Sequence, residues 1–399
     1  MSNKKYSLNP YLLGNIAEIH GKCDPLFQEV ADTFEQNFLY RGIDGEIGAS
    51  CAVIIDGELI VDLWGGFAEP KTLTEWHENT ICCCWSVSKT IGSVLTLMMI
   101  DQGLLNPSEP VATYWPEFSK NGKHGILVKH LLNHTAGLSY VDQDLSEGEI
   151  NNRASMVSAI ENTTPNWSPG SRLGYLNMTQ GYLLGELCSR VNDGKQISQL
   201  LNEKIAGPLG LDWHFQITED LVNRTANVYQ ANPTLFNDLI NQNPDTIFAQ
   251  SMKGRNPSET YNSDHWRTAE NGSGTSHTNA RSMAKLYSSL VTDCKLGAKS
   301  LFSKEVLNLA MTESILGVDT VNEIEMRFSL GFELNYPEVT PMGPNKHSFG
   351  YIGAGGSYAF ADPTIRLGFG YSHNFMHSCI GPGPCGLPLV NKVMECAYK

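Results

Sequence analysis

The chain has 399 residues, of which 41% are hydrophobic and 18% charged, which is enough apolar material for one large enzyme fold or for two to three domains. Its net charge is −14, and an acidic protein repels phosphate backbones and anionic lipid headgroups, so we expect neither a nucleic-acid nor a membrane partner. The first twenty residues lack an apolar signal-peptide core, and no apolar run is long enough to cross a bilayer. Ten cysteines form no Cys-x-x-Cys pair, and the consecutive Cys82–Cys84 are expected to be small buried packing residues. Together these features favour a cytoplasmic protein with reduced thiols.

The first predicted elements are two β-rich runs within residues 47–68, joined at Asp56-Gly57. Asp-Gly between such runs is typical of a tight hairpin turn. Apolar residues at helical spacing follow Ser86 and predict a helix that ends near Gly103.

The middle of the chain is predicted to be mainly helical, with helices over His130–His134, Tyr182–Val191, Ile197–Ile205 and Ala280–Val291. Residues 229–279 are rich in Asn, Ser, Thr and Gly, which predicts long loops over the surface. The histidines at 130 and 134 have the spacing of metal ligands, but the sequence offers no His-Glu-x-x-His arrangement and no obvious third ligand. We therefore expect no metal.

Strand character returns late, in residues 326–334, 356–363 and 366–374, and a last helix is predicted from Pro388 to Tyr398. Strands at both ends and helices between them predict an α+β fold, with an antiparallel sheet that both termini build and that helices flank.

The predicted domain division follows from this pattern. Residues 1–110 and 275–399 would form one discontinuous sheet domain, and residues 111–274 a mainly helical insertion. The active site is expected between the two.

The motif Ser-x-x-Lys occurs three times, as Ser2/Lys5, Ser86/Lys89 and Ser282/Lys285. Only the second pair opens a strongly apolar helix, where residues three apart share a face and the first backbone N–H groups are free. A serine hydroxyl needs a neighbouring base to become a nucleophile. At a pKa of about 10.4, only about one lysine in a thousand is neutral near pH 7.4, so its use as a base costs about 4 kcal/mol unless burial lowers that pKa. A charged Lys89 could instead lower the pKa of a tyrosine that takes the proton.

Two further segments supply partners for Ser86. Tyr175-Leu176-Asn177 is the single Tyr-x-Asn of the chain and stands between a Pro-Gly turn and a helical run. The glycine-rich stretch HSFGYIGAGGSYAFADP covers residues 347–363, and its backbone could approach a substrate closely and supply an oxyanion donor.

These three motifs, in this order, resemble the serine β-lactamase and penicillin-binding-protein superfamily. Four flanking stretches narrow the resemblance to the class C β-lactamase-like branch, and most of all to family VIII carboxylesterases: VKHLLNHTAGL, WSPGSRLGYLNMTQGYLLGEL, GSYAFADP and RLGFGYSHN. The resemblance covers most of the chain and implies a β-lactamase/transpeptidase-like fold.

The resemblance also implies roles for single residues. Ser86 matches the acylated serine, and Lys89 matches its activator. Tyr175 matches the general base, and Asn177 matches a polar residue near the acyl chain. The backbone N–H groups of Ser86 and Ala354 would form the oxyanion hole, and no cofactor is implied.

The third motif departs from the family pattern. Class C β-lactamases have Lys-Thr-Gly where this chain has Tyr351-Ile352-Gly353, and many related esterases have His-x-Gly. Tyr351 and Gly353 are expected to line the site, but Tyr351 offers one neutral hydroxyl in place of a cation. Because a missing charge-assisted hydrogen bond is worth about 1.5–3 kcal/mol, efficient β-lactam turnover is not expected.

The sequence therefore predicts a serine carboxylesterase that acts on small, mostly neutral esters through an acyl-enzyme on Ser86. Acyl transfer, peptide or amide hydrolysis and weak β-lactamase activity on the same fold stay open as alternatives, as does a non-catalytic scaffold. The physiological substrate and the oligomeric state are also open.

Overall fold

Both ends of the chain supply one large antiparallel sheet. The computed structural model describes residues 17–39, 42–255, 260–292, 301–379 and 381–399. The strands are β1 (Ile19–Cys23), β2 (Gly48–Ile55), β3 (Glu58–Glu69), β4 (Thr74–Glu75), β5 (Cys82–Cys83), β6 (Trp213–His214), β7 (Tyr229–Gln230), β8 (His277–Thr278), β9 (Ile315–Val318), β10 (Glu325–Phe328), β11 (Glu333–Leu334), β12 (Phe349–Ile352), β13 (Tyr358–Asp362), β14 (Leu367–His373) and β15 (Phe375–Met376). The large sheet has ten of these strands, in the order β1-β3-β2-β14-β13-β12-β11-β10-β9, with β4 on β3. The antiparallel pair β2–β14 joins the strands from the two ends of the chain. Its register runs from Ile55 opposite Leu367 to Ala49 opposite His373.

Helices cover both faces of this sheet, and most of them lie in the middle of the chain. They are α1 (Gln28–Phe38), α2 (Lys89–Asp101), α3 (Val128–Leu132), α4 (Glu147–Ile150), α5 (Arg153–Asn162), α6 (Thr179–Arg190), α7 (Ile197–Leu201), α8 (Gly207–Leu209), α9 (Glu219–Val222), α10 (Leu235–Gln242), α11 (Ile247–Ser251), α12 (Asp264–Arg267), α13 (Ala280–Val291), α14 (Lys304–Met311) and α15 (Gly383–Ala397). The predicted α+β architecture is confirmed, because every strand of the large sheet comes from residues 19–75 or 315–373. None of the helices in the described ranges combines the length and the apolar character that a membrane crossing requires.

The predicted hairpin forms at the predicted turn. Strands β2 and β3 meet at Asp56 and Gly57, whose φ angles are +54° and +85°. Positive φ at both central residues is the requirement of a tight type I′ turn, and Asp followed by Gly accepts it at little cost.

Two apolar layers sandwich the sheet. On one face, Phe34 of α1 and Leu389 of α15 share a buried cluster with Phe369 of β14. On the other face α13 lies directly against β14, because a Cβ at Gly368 or Gly370 would lie 2.1 or 2.2 Å from a carbonyl oxygen of α13. Glycine at both positions therefore permits this close helix–sheet contact.

Three sequence predictions need correction. The predicted helix over His130–His134 ends at Leu132, and His134 has a φ of +59°, which no α-helix accommodates. The last helix begins at Gly383, not at Pro388. Pro388 is the sixth residue of this helix and has no N–H, so the carbonyl of Pro384 lacks the helical hydrogen bond that it would otherwise accept.

The segment 229–279 is not a set of surface loops. It contains three short helices, α10 to α12, and residues 269–279 are buried throughout. Side chains of the segment provide hydrogen-bond partners for its buried backbone. Asn271 accepts a hydrogen bond from the backbone of Ser273, and Thr275 accepts one from the backbone of Asn271. A polar loop can lie inside a protein when its own side chains satisfy its backbone.

Candidate active site

Ser86 lies on a strained turn that leads straight into α2. Trp85–Ser88 is a 3₁₀ turn, and Trp85 has a φ of +44°, a conformation that bulky residues rarely adopt. Trp85 and Val87 are buried, whereas Ser86 is partly exposed and lines a cavity. The strain therefore turns one hydroxyl out of an otherwise buried segment.

Lys89 is buried beneath this serine, and three acceptors surround its amine. Nζ lies 3.3 Å from Ser86 Oγ, 2.8 Å from the carbonyl oxygen of Asn177 and 3.0 Å from that of Ser273. Burial lowers the pKa of Lys89 from 10.5 to about 7, against the opposing influence of Glu333. A neutral amine has two N–H donors and one lone pair, so two carbonyls leave the lone pair for the serine hydroxyl.

Tyr175 lies beside the serine and stays protonated. Burial raises the pKa of its phenol well above the usual value, and the nearby Glu333 adds to this, whereas hydrogen bonding with Ser86 acts in the opposite direction. The amine of Lys89 lies 4.7 Å from the centre of the Tyr175 ring. His134 stacks on the ring with 4.6 Å between centroids, so an amine and an imidazole both lie against the phenol ring.

Asn177 contributes through both its backbone and its side chain. Its carbonyl oxygen holds the amine of Lys89, as described, and its side chain lines the cavity. Its amide Nδ2 lies 3.3 Å from Ser251 Oγ and 3.5 Å from Met252 Sδ, which ties the Tyr-x-Asn segment to α11.

The glycine-rich segment after β12 packs against the turn that carries the nucleophile. A Cβ at Gly353 would lie 2.6 Å from the carbonyl oxygen of Cys84 and 3.3 Å from Trp85 Cβ, so only glycine allows this approach. Ala354 is the next residue and lines the cavity together with Ser86. The strand end and the helix start are therefore neighbours, as an oxyanion hole from both segments requires.

Tyr351 does not line the cavity, unlike its neighbours Ile352 and Gly353. Its side chain is fully buried in an aromatic cluster, with its ring centroid 6.0 Å from that of Phe332. Successive side chains of a strand point to opposite faces, so Ile352 faces the cavity and Tyr351 faces the core. The third motif thus offers no polar side chain from its first two positions.

The sequence analysis missed two residues that act on Lys89. Ser273, in the segment predicted as surface loop, supplies a carbonyl for the amine, and its own hydroxyl accepts a hydrogen bond from Gly181 N at 2.7 Å. Glu333, on β11, is 3% exposed, lines the cavity and accepts a hydrogen bond from Ile352 N at 3.3 Å. Burial raises the pKa of Glu333 to about 8. The sequence signal for Glu333 is a charged residue within the otherwise apolar run Gly-Phe-Glu-Leu. No such signal marks Ser273.

The remaining candidates from the sequence have other partners. His130 and His134 each accept a backbone N–H at Nδ1, from Leu127 at 3.2 Å and from Leu176 at 3.0 Å. Ser282, of the third Ser-x-x-Lys motif, is buried and accepts a hydrogen bond from Asp212 N at 2.9 Å. Ser2 and Lys5 lie outside the described residues.

The cavity in front of Ser86 has a volume of about 500 Å³. One wall is apolar and comes from α10 and the α11 region, through Leu235, Leu239, Phe248 and Met252. Among the described residues that line the cavity there is no lysine or arginine, whereas two acids, Glu323 and Glu333, are present. A substrate here meets apolar surface and acidic groups, and no fixed cation for a carboxylate.

This fold and this site define a serine hydrolase of the β-lactamase type. The chain belongs to the β-lactamase family, whose family model matches residues 35–379. It is 27% identical over 382 residues to the esterase/β-lactamase LipL of Mycobacterium tuberculosis. That alignment covers 89% of this chain and 83% of LipL.

Solved structures confirm the predicted resemblance. A penicillin-binding-protein homologue from Caulobacter crescentus and a family VIII carboxylesterase each superpose with a TM-score of 0.85 at 30% identity. In both cases the match covers 95% of this chain and 100% of the other.

Proposed function

We propose that the protein is a serine carboxylesterase that hydrolyses small, mostly neutral carboxylic esters through an acyl-enzyme on Ser86. The observation that carries this proposal is the buried amine of Lys89, 3.3 Å from Ser86 Oγ and anchored by two carbonyl oxygens. When neutral, a lysine so placed can act as a general base for the serine, because two carbonyl oxygens take its two N–H groups and leave its lone pair for the hydroxyl.

In the first step, Ser86 Oγ attacks the ester carbonyl carbon, and its proton passes to Lys89. The resemblance implies Tyr175 as this base, but a phenol with a strongly raised pKa favours the amine instead. The carbonyl oxygen becomes an oxyanion, and the backbone N–H groups of Ser86 and Ala354 donate hydrogen bonds to it.

In the second step, the tetrahedral intermediate collapses, and the bond to the leaving alkoxide breaks. The phenol of Tyr175 protonates the alkoxide, and the ammonium of Lys89 returns a proton to Tyr175. Water then attacks the acyl-enzyme, and Lys89 accepts its proton. The bond between the acyl carbon and Ser86 Oγ breaks, and Lys89 returns that proton to Oγ, which restores the free enzyme and releases the acid.

The cavity supports neutral substrates. Its apolar wall suits an alkyl or aryl group, and its described lining has no lysine or arginine to hold the carboxylate of a β-lactam or a charged peptide terminus. Glu323 would repel such a carboxylate. Two relatives, the esterase/β-lactamase LipL and the esterase EstB of Burkholderia gladioli, support ester hydrolysis by this chain.

The test is a panel of p-nitrophenyl esters of rising acyl length, assayed with the wild type and Ser86→Ala, together with a fluorophosphonate probe. We expect ester hydrolysis and one probe adduct on the Ser86 peptide, both lost in Ser86→Ala. The matched control is Ser282→Ala, which removes the same hydroxyl from another Ser-x-x-Lys motif and should keep both.

Two results would redirect the proposal. If the wild type forms no adduct on Ser86, the non-catalytic scaffold is the better description. If added alcohols or amines capture the acyl group faster than water does, the protein is an acyltransferase.

A further inference from the structure

A second cluster of polar side chains lies buried behind the active site, and the proposed mechanism does not use it. Glu46 immediately precedes Ile47 and β2, His373 ends β14, and His377 follows β15. The pairing of β2 with β14 brings the first two together. The side chains of Glu46 and His373 are 0% exposed and that of His377 is 3% exposed, and one ligand atom from each lies within 4.8 Å of the other two.

The hydrogen bonds within this cluster are incomplete. His377 Nδ1 lies 3.2 Å from the carbonyl oxygen of Ile43, so this nitrogen carries the proton and donates it. The other ring nitrogen, Nε2, then faces Glu46 Oε1 at 3.2 Å with a lone pair directed at an acceptor. Such a contact needs a positive group between the two atoms.

His373 also has buried polar atoms without hydrogen-bond partners. Its Nδ1 lies 3.3 Å from Glu46 Oε2, but in the described part of the chain neither ring nitrogen of His373 has a hydrogen-bond partner, and neither does Oε2. Buried polar atoms without partners are rare in folded proteins and call for an unseen proton, water or ion. Here a Glu46 oxygen and one ring nitrogen of His373 lie close to a ring nitrogen of His377.

We propose that Glu46, His373 and His377 bind one divalent transition-metal ion, of the Zn²⁺ class. Two imidazole nitrogens and a carboxylate oxygen are a common ligand set for such ions. In a tetrahedral zinc site with bonds of about 2.0–2.1 Å, neighbouring ligand atoms are roughly 3.3 Å apart. The separations of His377 Nε2 from Glu46 Oε1, 3.2 Å, and of His373 Nδ1 from Glu46 Oε2, 3.3 Å, are of this size, with the two oxygens of one carboxylate each facing one imidazole.

The surroundings also suit a metal. The carbonyl of Ile43 fixes the tautomer of His377, and the Tyr371 hydroxyl donates to Glu46 Oε1, as outer-shell partners of metal ligands commonly do. His377 also lines the active-site cavity, which provides a route for the ion and a place for a water as fourth ligand.

The metal would brace the turn that carries Ala354. The backbone N–H of His377 donates to Gly355 O at 3.1 Å, and a Cβ on Gly356 would lie 3.4 Å from His373 Nε2. Both contacts are made by metal ligands. The ion therefore stabilises the fold beneath the active site and takes no part in the ester chemistry.

The experiment uses untagged full-length protein and Zn²⁺ as the probe. Metal content is measured by mass spectrometry after purification, after dialysis against a chelator, and after reconstitution. We expect one zinc per chain, and a Tm that rises by roughly 3 °C when free zinc reaches a hundred times its Kd. Cobalt substituted for zinc should give the visible absorption of a tetrahedral site.

Glu46→Gln and His373→Gln are expected to lose the stoichiometric metal and the Tm response. Circular dichroism checks that each variant is folded. His20→Ala removes a histidine far from the cluster and serves as the control for surface binding; it should behave as the wild type. The proposal is overturned if the wild type neither holds zinc nor responds to it, in which case protons bridge Glu46 to the imidazoles. It is also overturned if folded Glu46→Gln and His373→Gln bind zinc as the wild type does.

Discussion

The proton chemistry of Lys89 can be tested through the pH dependence of ester hydrolysis. The active form of a general base is the neutral one, so kcat/KM should follow the deprotonation of Lys89 in the free enzyme. Because burial lowers the pKa of this amine to about 7, activity should rise with pH to a plateau just above neutrality. An exposed lysine would place that rise near its usual value of 10.5.

The size of this effect is large. With a pKa of about 7, roughly 70% of Lys89 is neutral at pH 7.4, compared with about 0.1% for an unperturbed lysine. The several-hundred-fold gain in neutral amine corresponds to about 4 kcal/mol. At pH 6 roughly a tenth of the amine is still neutral, so about a tenth of the plateau rate should remain.

Substitution of Glu333 tests whether the pKa of Lys89 sets the acid limb of the pH profile. The ionised carboxyl of Glu333 raises the pKa of Lys89, so Glu333→Gln should move the acid limb of the profile to lower pH by as much as the carboxyl is ionised there, and never to higher pH. Glu323→Gln removes the other acid of the cavity wall and should leave the limb in place. The two buried groups titrate as a coupled pair in the wild type, and the variant reduces the profile to a single group.

The assay is kcat/KM for one soluble p-nitrophenyl ester between about pH 5 and pH 10, with background hydrolysis subtracted. A wild-type rate that keeps climbing through pH 9 would refute the buried neutral base. So would a Glu333→Gln profile that shifts to higher pH. Lys89→Met should lose about 10²–10⁴-fold at every pH, as expected for removal of a general base.

Three further predictions follow from single contacts. Tyr175→Phe should lose roughly 10²–10⁴-fold on alkyl esters but far less on p-nitrophenyl esters, whose leaving group needs no proton; equal losses on both substrates would contradict its role as the acid. Gly353→Ala should lower the free energy of unfolding by about 1–3 kcal/mol and cut activity, because its Cβ would meet the Cys84 carbonyl at 2.6 Å; Gly317→Ala, which has open space around it, should change neither urea unfolding nor rate. Burial raises the pKa of Glu333 from 4.5 to about 8, so between these pH values the folded protein retains a proton that the unfolded chain releases, and stability falls as pH rises. Glu333→Gln lacks this loss, so its stability relative to the wild type should increase from pH 5 to pH 8 in urea melts, and a constant difference would argue against the raised pKa.

Local patterns in the sequence predicted the elements that depend on local forces. Asp56-Gly57 marked the hairpin because only a few residues accept positive φ, and Ala280–Val291 matches the helix that the structure has. The prediction of surface loops was wrong where a segment of polar composition is buried in the folded protein. The segment 269–279 is polar in sequence and yet buried, because Asn271 and Thr275 satisfy its backbone from within.

Motif order in the sequence determined the family and named Ser86, Lys89 and Tyr175 as candidates, because each motif carries a residue type that the chemistry demands. Only the tertiary structure decided how these groups share protons. The pKa of an amine or a carboxyl depends on what surrounds it in three dimensions, and the carbonyl of Ser273 and the carboxyl of Glu333 reach Lys89 from positions more than 180 residues away along the chain. Two other features depend on how the strands pair. The side chains of β12 point alternately to opposite faces of the sheet, so Tyr351 is buried in the core. Pairing of distant strands also brings Glu46 close to His373 and His377.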